Sequence, residues 1–347
     1  LMAPTALRNG SFVAIDVVDS LFKGVALHLL QLFLLAICLI VAAAARFLSE
    51  HYGAPQMLFA LLLGMALHFL VEDPRCQPGI DFAARTALRL GVGLLGARIT
   101  FDEVWGLGLG AVAWIAAGVV LTILVGLLAG RTGPMGARFG VLSGGAVAIC
   151  GASAAMALAA VLPRDRTSER DTILVVVSVT ALSTLAMVLY PMVVAVFGLT
   201  DHETGIFLGA TIHDVAQVVG AGYSVSPEAG DTATIAKLFR VAMLMPVVLC
   251  IGLVFRGGGG AGAAPLPLFV LGFAALVVVN SAGLVPGAVA AGLSAVSGWC
   301  LVTAIAALGI KTSLKALTEV GAAPLVMMVG ETLFLALWIG AGLWLGI

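Results

Sequence analysis

The Gly- and Ser-rich stretch 143–153 has the residue types of an anion-binding turn. Its sequence, SGGAVAICGAS, is apolar enough for a membrane but too rich in Gly for a stable spanning helix. A helix broken at membrane depth must be buried in protein or line a polar cavity, and the N–H groups of a half-helix can then hold a negative ligand. Close helix packing through small residues is the alternative. The predicted substrate-binding residues here are Ser143, Gly144, Gly145, Cys150, Gly151 and Ser153.

A second polar stretch, GATIHDVAQV at 209–218, places a carboxylate and an imidazole in another apolar run. An acidic residue in a membrane segment is costly and is a functional candidate by default, and His can change its charge near neutral pH. If the segment is helical, His213 and Gln217 share a face. We predict that Thr211, His213 and Asp214 couple transport to H⁺ or Na⁺ and that Gln217 binds substrate. A structural His–Asp hydrogen bond is the alternative.

Two basic residues follow, Lys237 and Arg240, three positions apart, so one helical face would carry both. Arg binds an oxyanion through a two-pronged fork and Lys offers a point charge. Both are therefore predicted to bind substrate or to neutralise Asp214. A pair at the lipid interface is the alternative. Glu331 lies deep in the last apolar run and could pair with a basic residue or carry a proton.

The composition is that of an integral membrane protein. The chain of 347 residues is 61% hydrophobic and 10% charged, with a mean hydropathy of +1.16, whereas soluble domains have about 25% charged residues. The net charge of −1 gives no basic surface for nucleic acid. The five cysteines are scattered, and neither a metal-ligand spacing nor a nucleophile or nucleotide-binding motif is found. We therefore predict no metal, no cofactor and no enzymatic activity.

Apolar runs of spanning length predict an all-α polytopic membrane protein with about 9–11 segments in two inverted repeats. A surface segment at 1–25 precedes a first membrane repeat at 26–162 and a second at 172–347, within one membrane domain. The eleven runs are 26–48, 55–71, 84–98, 105–129, 138–162, 172–198, 204–225, 233–255, 266–284, 287–310 and 322–346.

Short matches between these runs indicate the repeat. Leu63–Ala66 resembles Leu271–Ala274, and Leu95–Thr100 resembles Leu308–Ser313 in the same order. About seven segments separate the two members of each pair. An odd number places the copies upside down relative to each other, as in secondary transporters.

Two discontinuous segments, 138–162 and 204–225, are expected to meet near the membrane midplane, and Gly145–Cys150 in one resembles Gly209–Asp214 in the other. With a cytoplasmic N-terminus, two crossing segments would split the 17 Lys and Arg residues about 10 inside to 7 outside. Two re-entrant hairpins from opposite faces would split them about 13 to 4. Both forms bring a broken tip to the midplane, and both stay open.

Four strings occur in the order found in a known bacterial family: LGVGLLGARIT at 90–100, the stretch 143–153, GATIHDVAQV at 209–218 and KLFRV at 237–241. Over about residues 30–320 the chain resembles the YeiH-type (UPF0324-like) family, which carries a sulfate-exporter label. That family is more distantly similar to inverted-repeat carriers of the bile-acid and auxin-carrier type. The resemblance implies a scaffold, a mobile core with discontinuous helices, elevator-like alternating access and a homodimer.

These features together predict a multi-pass protein of the bacterial inner membrane that carries a small anion. Sulfate or a related sulfur oxyanion is the expected substrate, moved outward and coupled to H⁺ or Na⁺ across the lipid bilayer. A carrier of a small organic anion, such as a sulfonate or carboxylate, and a passive anion channel are the alternatives.

Overall fold

Every element that the computed structural model describes is helical, which confirms the predicted all-α class. The structure describes residues 30–52, 55–97, 99–163, 167–255, 268–312 and 321–347. The predicted surface segment at 1–25 lies outside the described residues.

Seventeen helices and one π-helical turn follow one another in the described part of the chain. They are α1 (Leu30–Tyr52), α2 (Gln56–Ala66), α3 (Phe69–Glu72), α4 (Gln77–Phe82), the π-helical turn (Ala83–Ala87), α5 (Leu88–Leu95), α6 (Phe101–Gly106), α7 (Leu109–Thr132), α8 (Gly136–Ala148), α9 (Ala152–Val161), α10 (Ser168–Phe197), α11 (Asp201–Thr211), α12 (Val215–Val225), α13 (Pro227–Ala242), α14 (Leu244–Val254), α15 (Leu268–Ser281), α16 (Gly287–Lys311) and α17 (Ala322–Trp344).

Within the described ranges, six helices are long and apolar enough to cross a membrane: α1, α7, α10, the pair α13–α14, α16 and α17. The five other predicted runs are short or interrupted helices, among them α8–α9 and α11–α12. A multi-pass membrane fold follows from these spans.

The segment α8–α9 folds back on itself at Ile149–Gly151, and we call it the first hairpin. Near the start of α8, Arg138 Nε donates a hydrogen bond to Pro163 O, just beyond the end of α9, at 2.8 Å. Halfway along, Gly145 packs against Leu158 of α9. In one straight helix, Arg138 and Pro163 would lie roughly 38 Å apart. Both ends of this segment therefore lie on the same side of the molecule.

The segment α11–α12 reverses at Ile212–Asp214 in the same way, and we call it the second hairpin. Gly205, near the start of α11, packs against Thr232 of α13. Gly222, near the end of α12, packs against Gly230, which also belongs to α13. Because both ends of the hairpin touch one turn of α13, they also lie side by side.

The long helix α10 shows that the two hairpins come from opposite ends of the molecule. Near its start, Asp171 forms an ion pair with Arg138 at the base of the first hairpin, with 3.3 Å between Nη1 and Oδ2. At its middle, Ser183 Oγ accepts a hydrogen bond from the Asp214 N–H at the tip of the second hairpin, at 3.0 Å. One turn later Met187 packs against α12, further from that tip. The structure thus agrees with the hairpin alternative, and the tips meet near the midpoint of α10.

Local sequence signals fix where the second hairpin begins and ends. The helix before it stops at Gly198, which has the left-handed φ of 65°. Its first arm starts with a capping box, in which Thr200 and Glu203 each accept a hydrogen bond from the other's backbone N–H. After its second arm, Ser226 caps α13, whose first residue is Pro227.

Two reciprocal hydrogen bonds agree with the predicted repeat, in which α2 corresponds to α15 and α5 to α16. His68 Nδ1, after α2, donates to Ile310 O of α16 at 2.7 Å. Asn280 Nδ2 of α15 donates to Ile99 O, after α5, at 3.1 Å. In keeping with this, α2 packs on α16 and α5 packs on α15. The two halves of the chain are thus interlaced, and the inverted orientation of the copies across a membrane stays a prediction.

Labelling from the two membrane faces tests the opposed hairpins. Glu169, at the base of the first hairpin, and Glu228, beside the base of the second, are both exposed. In a background without the native cysteines, Glu169→Cys and Glu228→Cys should react with a membrane-impermeant maleimide from opposite faces. Permeabilised cells, in which both variants should react, provide the control. Reaction of both variants from one face would contradict the arrangement.

Candidate functional site at the hairpin tips

Arg240 of α13 is fully buried, and its guanidinium binds the tips of both hairpins. At the end of α8, Nε donates to Ala148 O at 2.8 Å and Nη2 to Val147 O at 2.8 Å. At the end of α11, Nη1 donates to Gly209 O at 3.1 Å and to Ile212 O at 3.0 Å. The carbonyl end of a helix carries partial negative charge, so this cation stabilises two half-helix ends at once.

Lys237, one turn earlier on α13, is also fully buried and joins the same two tips. Its ammonium donates to Ile149 O at 2.7 Å, to Ile212 O at 2.9 Å and to His213 O. Among the described residues, neither Lys237 nor Arg240 forms a salt bridge with a carboxylate. In this conformation the ammonium of Lys237 and the guanidinium of Arg240 both face backbone carbonyls. Their contact with substrate therefore stays a prediction.

Four of the six carbonyls that the two cations hold form two matched pairs. Ala148 and Ile212, which share one cation, are 64 positions apart, and so are Ile149 and His213, which share the other. The same shift relates the similar strings Gly145–Cys150 and Gly209–Asp214. That weak sequence match therefore marks equivalent backbone positions at the two tips.

Neighbouring residues of α17 connect the two hairpins through buried side chains. Thr332 Oγ1 lies 3.1 Å from His213 Nε2, and His213 Nδ1 donates to Val147 O at 3.2 Å. Glu331 Oε1 accepts a hydrogen bond from Ser143 Oγ of the first hairpin at 2.7 Å. Glu331 could be identified from the sequence because it is an acidic residue in an apolar run. Thr332 could not, because a threonine in such a run is ordinary.

Asp214 and Gln217 of the second hairpin are held by different neighbours. Asp214 is half-buried and caps α12, because its Oδ1 accepts a hydrogen bond from Ala216 N at 2.8 Å. Gln217 is buried, and its Nε2 donates to Thr184 Oγ1 of α10 at 3.0 Å. Its Oε1 has no hydrogen-bond partner among the described residues. Both side chains therefore keep an oxygen that can accept a further hydrogen bond or a cation.

The position of His213 corrects the expectation for a continuous helix. His213 lies in the break between α11 and α12, so it shares no helical turn with Gln217. Its ring instead turns toward α17 and the first hairpin. Thr211, the last residue of α11, is buried, and its hydroxyl donates to Phe207 O at 2.6 Å.

The predicted residues of the first hairpin divide into buried and accessible groups. Gly144 packs against α7 and Gly145 against α9, as close helix packing requires. Cys150 is a buried free thiol in the break. Gly151 turns the chain with φ 65° and ψ −126°, a conformation that only glycine adopts without strain. Ser153 alone of these residues is exposed.

In the part of the chain that the structure describes, charged side chains cover three of the four half-helix ends at the tips, whereas at the start of α9 the Cys150 thiol meets only the Ala154 N–H. The two cations cover the ends of α8 and α11, and Asp214 covers the start of α12. At α9, Gly151 provides no side-chain cap, and the N–H groups of Ala152 and Ser153 have no partner among the described residues. Gly151 also packs beside His213, so this end lies next to the second tip. In the described part of the chain, no group of three or more His, Cys, Asp or Glu could hold a metal.

These features define the class: a multi-pass, all-helical membrane protein in which two opposed helical hairpins meet tip to tip. The chain belongs to the family described as Conserved hypothetical protein 698, whose model matches residues 31–328.

Several membrane proteins of this family are closely similar to the chain. The UPF0324 membrane protein TauZ of Paracoccus denitrificans is 59% identical over 315 residues, which cover 89% of this chain and 93% of the relative. The UPF0324 membrane protein CT0845 of Chlorobaculum tepidum is 56% identical over 312 residues, or 88% and 87% of the two chains. No solved structure matches the chain. The family expected from the sequence strings is therefore confirmed.

Proposed function

We propose that this protein is a secondary-active carrier of a small anion that works by alternating access and exports sulfate or a related sulfur oxyanion. The observation that carries the proposal is the meeting of two opposed hairpin tips at mid-molecule, where the first two N–H groups of α9 have no partner among the described residues. In membrane carriers, such broken segments bind substrate near the midplane, and half-helix N-termini face the anionic group.

The proposed anion site is the start of α9. The N–H groups of Ala152 and Ser153 point out of the helix end, where the helix dipole favours negative charge. The exposed Ser153 hydroxyl adds a further donor. Behind the tips, Lys237 and Arg240 contribute positive potential even while they hold the carbonyls. An anion arriving here would meet donors and positive charge without first breaking a buried contact.

The proposed coupling site is Asp214, with His213 beside it. Asp214 is half-buried, and its Oδ1 accepts the hydrogen bond that caps α12. Its other carboxylate oxygen can therefore receive H⁺ or Na⁺. A positive charge gained there would offset part of the charge of an anion bound at the neighbouring start of α9. Binding of the two ions would then be linked.

The proposed movement takes place along α12, which packs against α2 and α16. Two cavities, of about 320 and about 420 Å³, lie along this seam. The first is lined by Tyr223 from α12 and by Arg46 and Trp299 from the opposing helices, and the second by Ser224 and Leu58. A seam with unfilled space has fewer packed contacts to break when the hairpins move. We accordingly propose an elevator in which α1, α2, α5, α15 and α16 form the fixed, dimeric scaffold in the bacterial inner membrane, with a cytoplasmic N-terminus.

Transport by purified protein in proteoliposomes tests the function. The panel should contain labelled sulfate, sulfite, thiosulfate, methanesulfonate and a small carboxylate, each with an imposed H⁺ or Na⁺ gradient. Accumulation of a sulfur oxyanion against its own gradient is expected. A preference for the sulfonate or carboxylate would change the substrate class, and flux that only dissipates gradients would indicate a channel. Absence of flux for every anion would overturn the proposal.

Two substitutions test the proposed site. Ser153→Ala should weaken anion binding by about tenfold or more, because a hydrogen bond to a charged group contributes about 1.5–3 kcal/mol. Asp214→Asn should impair gradient-driven accumulation, since the amide can neither gain a proton nor offer a negative charge to Na⁺. Ser49→Ala, a half-buried serine of α1, is the matched control and should behave as the unmodified protein. Normal kinetics in both site variants would remove the assignment.

A further inference from the structure

Glu331 is a carboxyl group buried in the protein with half of its hydrogen-bonding capacity unused. The residue lies in α17 and is 1% exposed. Its Oε1 accepts the hydrogen bond from Ser143 Oγ, and its Oε2 has no partner among the described residues. A buried carboxylate normally has a paired cation or several donors. This carboxyl group has a single donor and no ion pair within the described part of the chain.

The surroundings of Glu331 leave room for the carboxyl group and offer it little charge compensation. From α7, Gly126 faces Oε1, where any Cβ would lie 2.8 Å from that oxygen. From α8, Ser143 is the facing polar group, and the fully described helices α7 and α8 present no charged side chain at this level. From the second hairpin, His213 approaches through Thr332.

Four ionisable side chains lie at or near the tips. When all four are ionised, the positive charges of Lys237 and Arg240 balance the negative charges of Asp214 and Glu331. The heads of Lys237 and Arg240 point at backbone carbonyls. Asp214 lies at the second tip, and Glu331 is next to Thr332, which contacts that tip. A bound anion would therefore leave excess negative charge in a region where charge is poorly screened. Uptake of a proton by one of the carboxyl groups would remove that excess for a monoanion and half of it for a dianion such as sulfate.

We propose that Glu331 is a proton-binding site that couples anion movement to proton movement, which rests on the function proposed above. A proton from water adds to the free Oε2 and leaves from the same oxygen on the other side of the membrane, with no redox change. Ser143 attaches this carboxyl group to the first hairpin, and the adjacent Thr332 contacts His213 of the second. The protonation state of Glu331 can thus influence both tips.

The test compares Glu331→Gln with the unmodified protein in proteoliposomes, using the panel anion that exchanges fastest. With one coupled proton, a gradient of one pH unit should support about tenfold accumulation. Glu331→Gln should abolish this accumulation, and its remaining exchange should no longer vary with pH. Glu72→Gln, an exposed glutamate, is the control and should keep both properties. Proton-driven accumulation that survives in Glu331→Gln would overturn the inference.

The remaining outcomes separate this inference from the proposed function. If the unmodified protein exchanges the anion at a rate and to an extent that a pH gradient does not change, the proton site is overturned and the carrier function is retained. Absence of exchange with every anion would overturn both. If Glu331→Gln fails to fold, Ser143→Ala decides, because it removes the donor that stabilises the charged carboxyl group. The pH profile of exchange should then move to higher pH, and an unchanged profile would refute the role of Glu331.

Discussion

Replacing Arg240 with Leu should destabilise the protein by about 2 kcal/mol or more, since Ala148 O and Gly209 O lose their donor and each unsatisfied buried group costs about 1–3 kcal/mol. Val147 O and Ile212 O lose one donor each but keep His213 and Lys237. The guanidinium joins both hairpin tips, so their contact should loosen even though Lys237 still bridges them, and transport should be lost. The measurement is the midpoint of thermal unfolding of the detergent-purified protein, together with the monodisperse fraction that remains after heating.

Two further arginine variants show whether the loss reflects the buried network. Arg131→Leu removes an exposed arginine from the last turn of α7 and should change the midpoint little. Arg240→Lys keeps the charge but cannot donate in four directions at the same positions, so an intermediate loss is expected. Equal midpoints for Arg240→Leu and Arg131→Leu would show that the tips are held together in another way.

The interruptions in the two hairpins could be predicted from local sequence. Gly and Ser density in 143–153 placed a break there, and the chain turns at Ile149–Gly151. The polar residues of 209–218 predicted the second break, and the chain turns there at Ile212–Asp214. Local backbone preference is a property of a few neighbouring residues, so it is visible in one sequence.

The reversal of each segment needed a long-range argument. Hydropathy treats a crossing helix and a hairpin alike, because both are apolar over the same length. The Lys and Arg distribution favoured hairpins, since it reports which side of a membrane each loop occupies. The contact of Arg138 with Pro163 then supplied independent evidence for the first hairpin.

The destinations of the buried charges could not be predicted. Arg240 finds acceptors about 30 and about 90 positions away in the chain. Glu331 and Ser143 are separated by 188 positions. The type of a residue shows that its charge will need partners when it is buried. Which partners it finds depends on how the helices pack. Backbone carbonyls add a further obstacle, because every residue has one and none is visible as a motif.

Gly140→Ala should disrupt the packing of α7 on α8, on which the position of Ser143 and hence of Glu331 depends. A Cβ at Gly140 would lie 2.0 Å from Gly126 O, and a backbone atom cannot move aside as a side chain can. Overpacking of this kind costs about 1–3 kcal/mol, so a lower unfolding midpoint and weaker transport are expected.

Gly330→Ala provides the matched comparison, because it makes the same chemical change within a helix where nothing lies within 4 Å of the new Cβ. In a helix interior Ala is favoured over Gly by about 0.5–1 kcal/mol, so this variant should be as stable as the unmodified protein or more stable. Opposite signs for the two substitutions would separate close backbone contact from helix propensity. If Gly140→Ala instead gained stability as Gly330→Ala does, α7 and α8 could not lie as close as the structure places them, and the hydrogen bond between Ser143 and Glu331 would lose its structural basis.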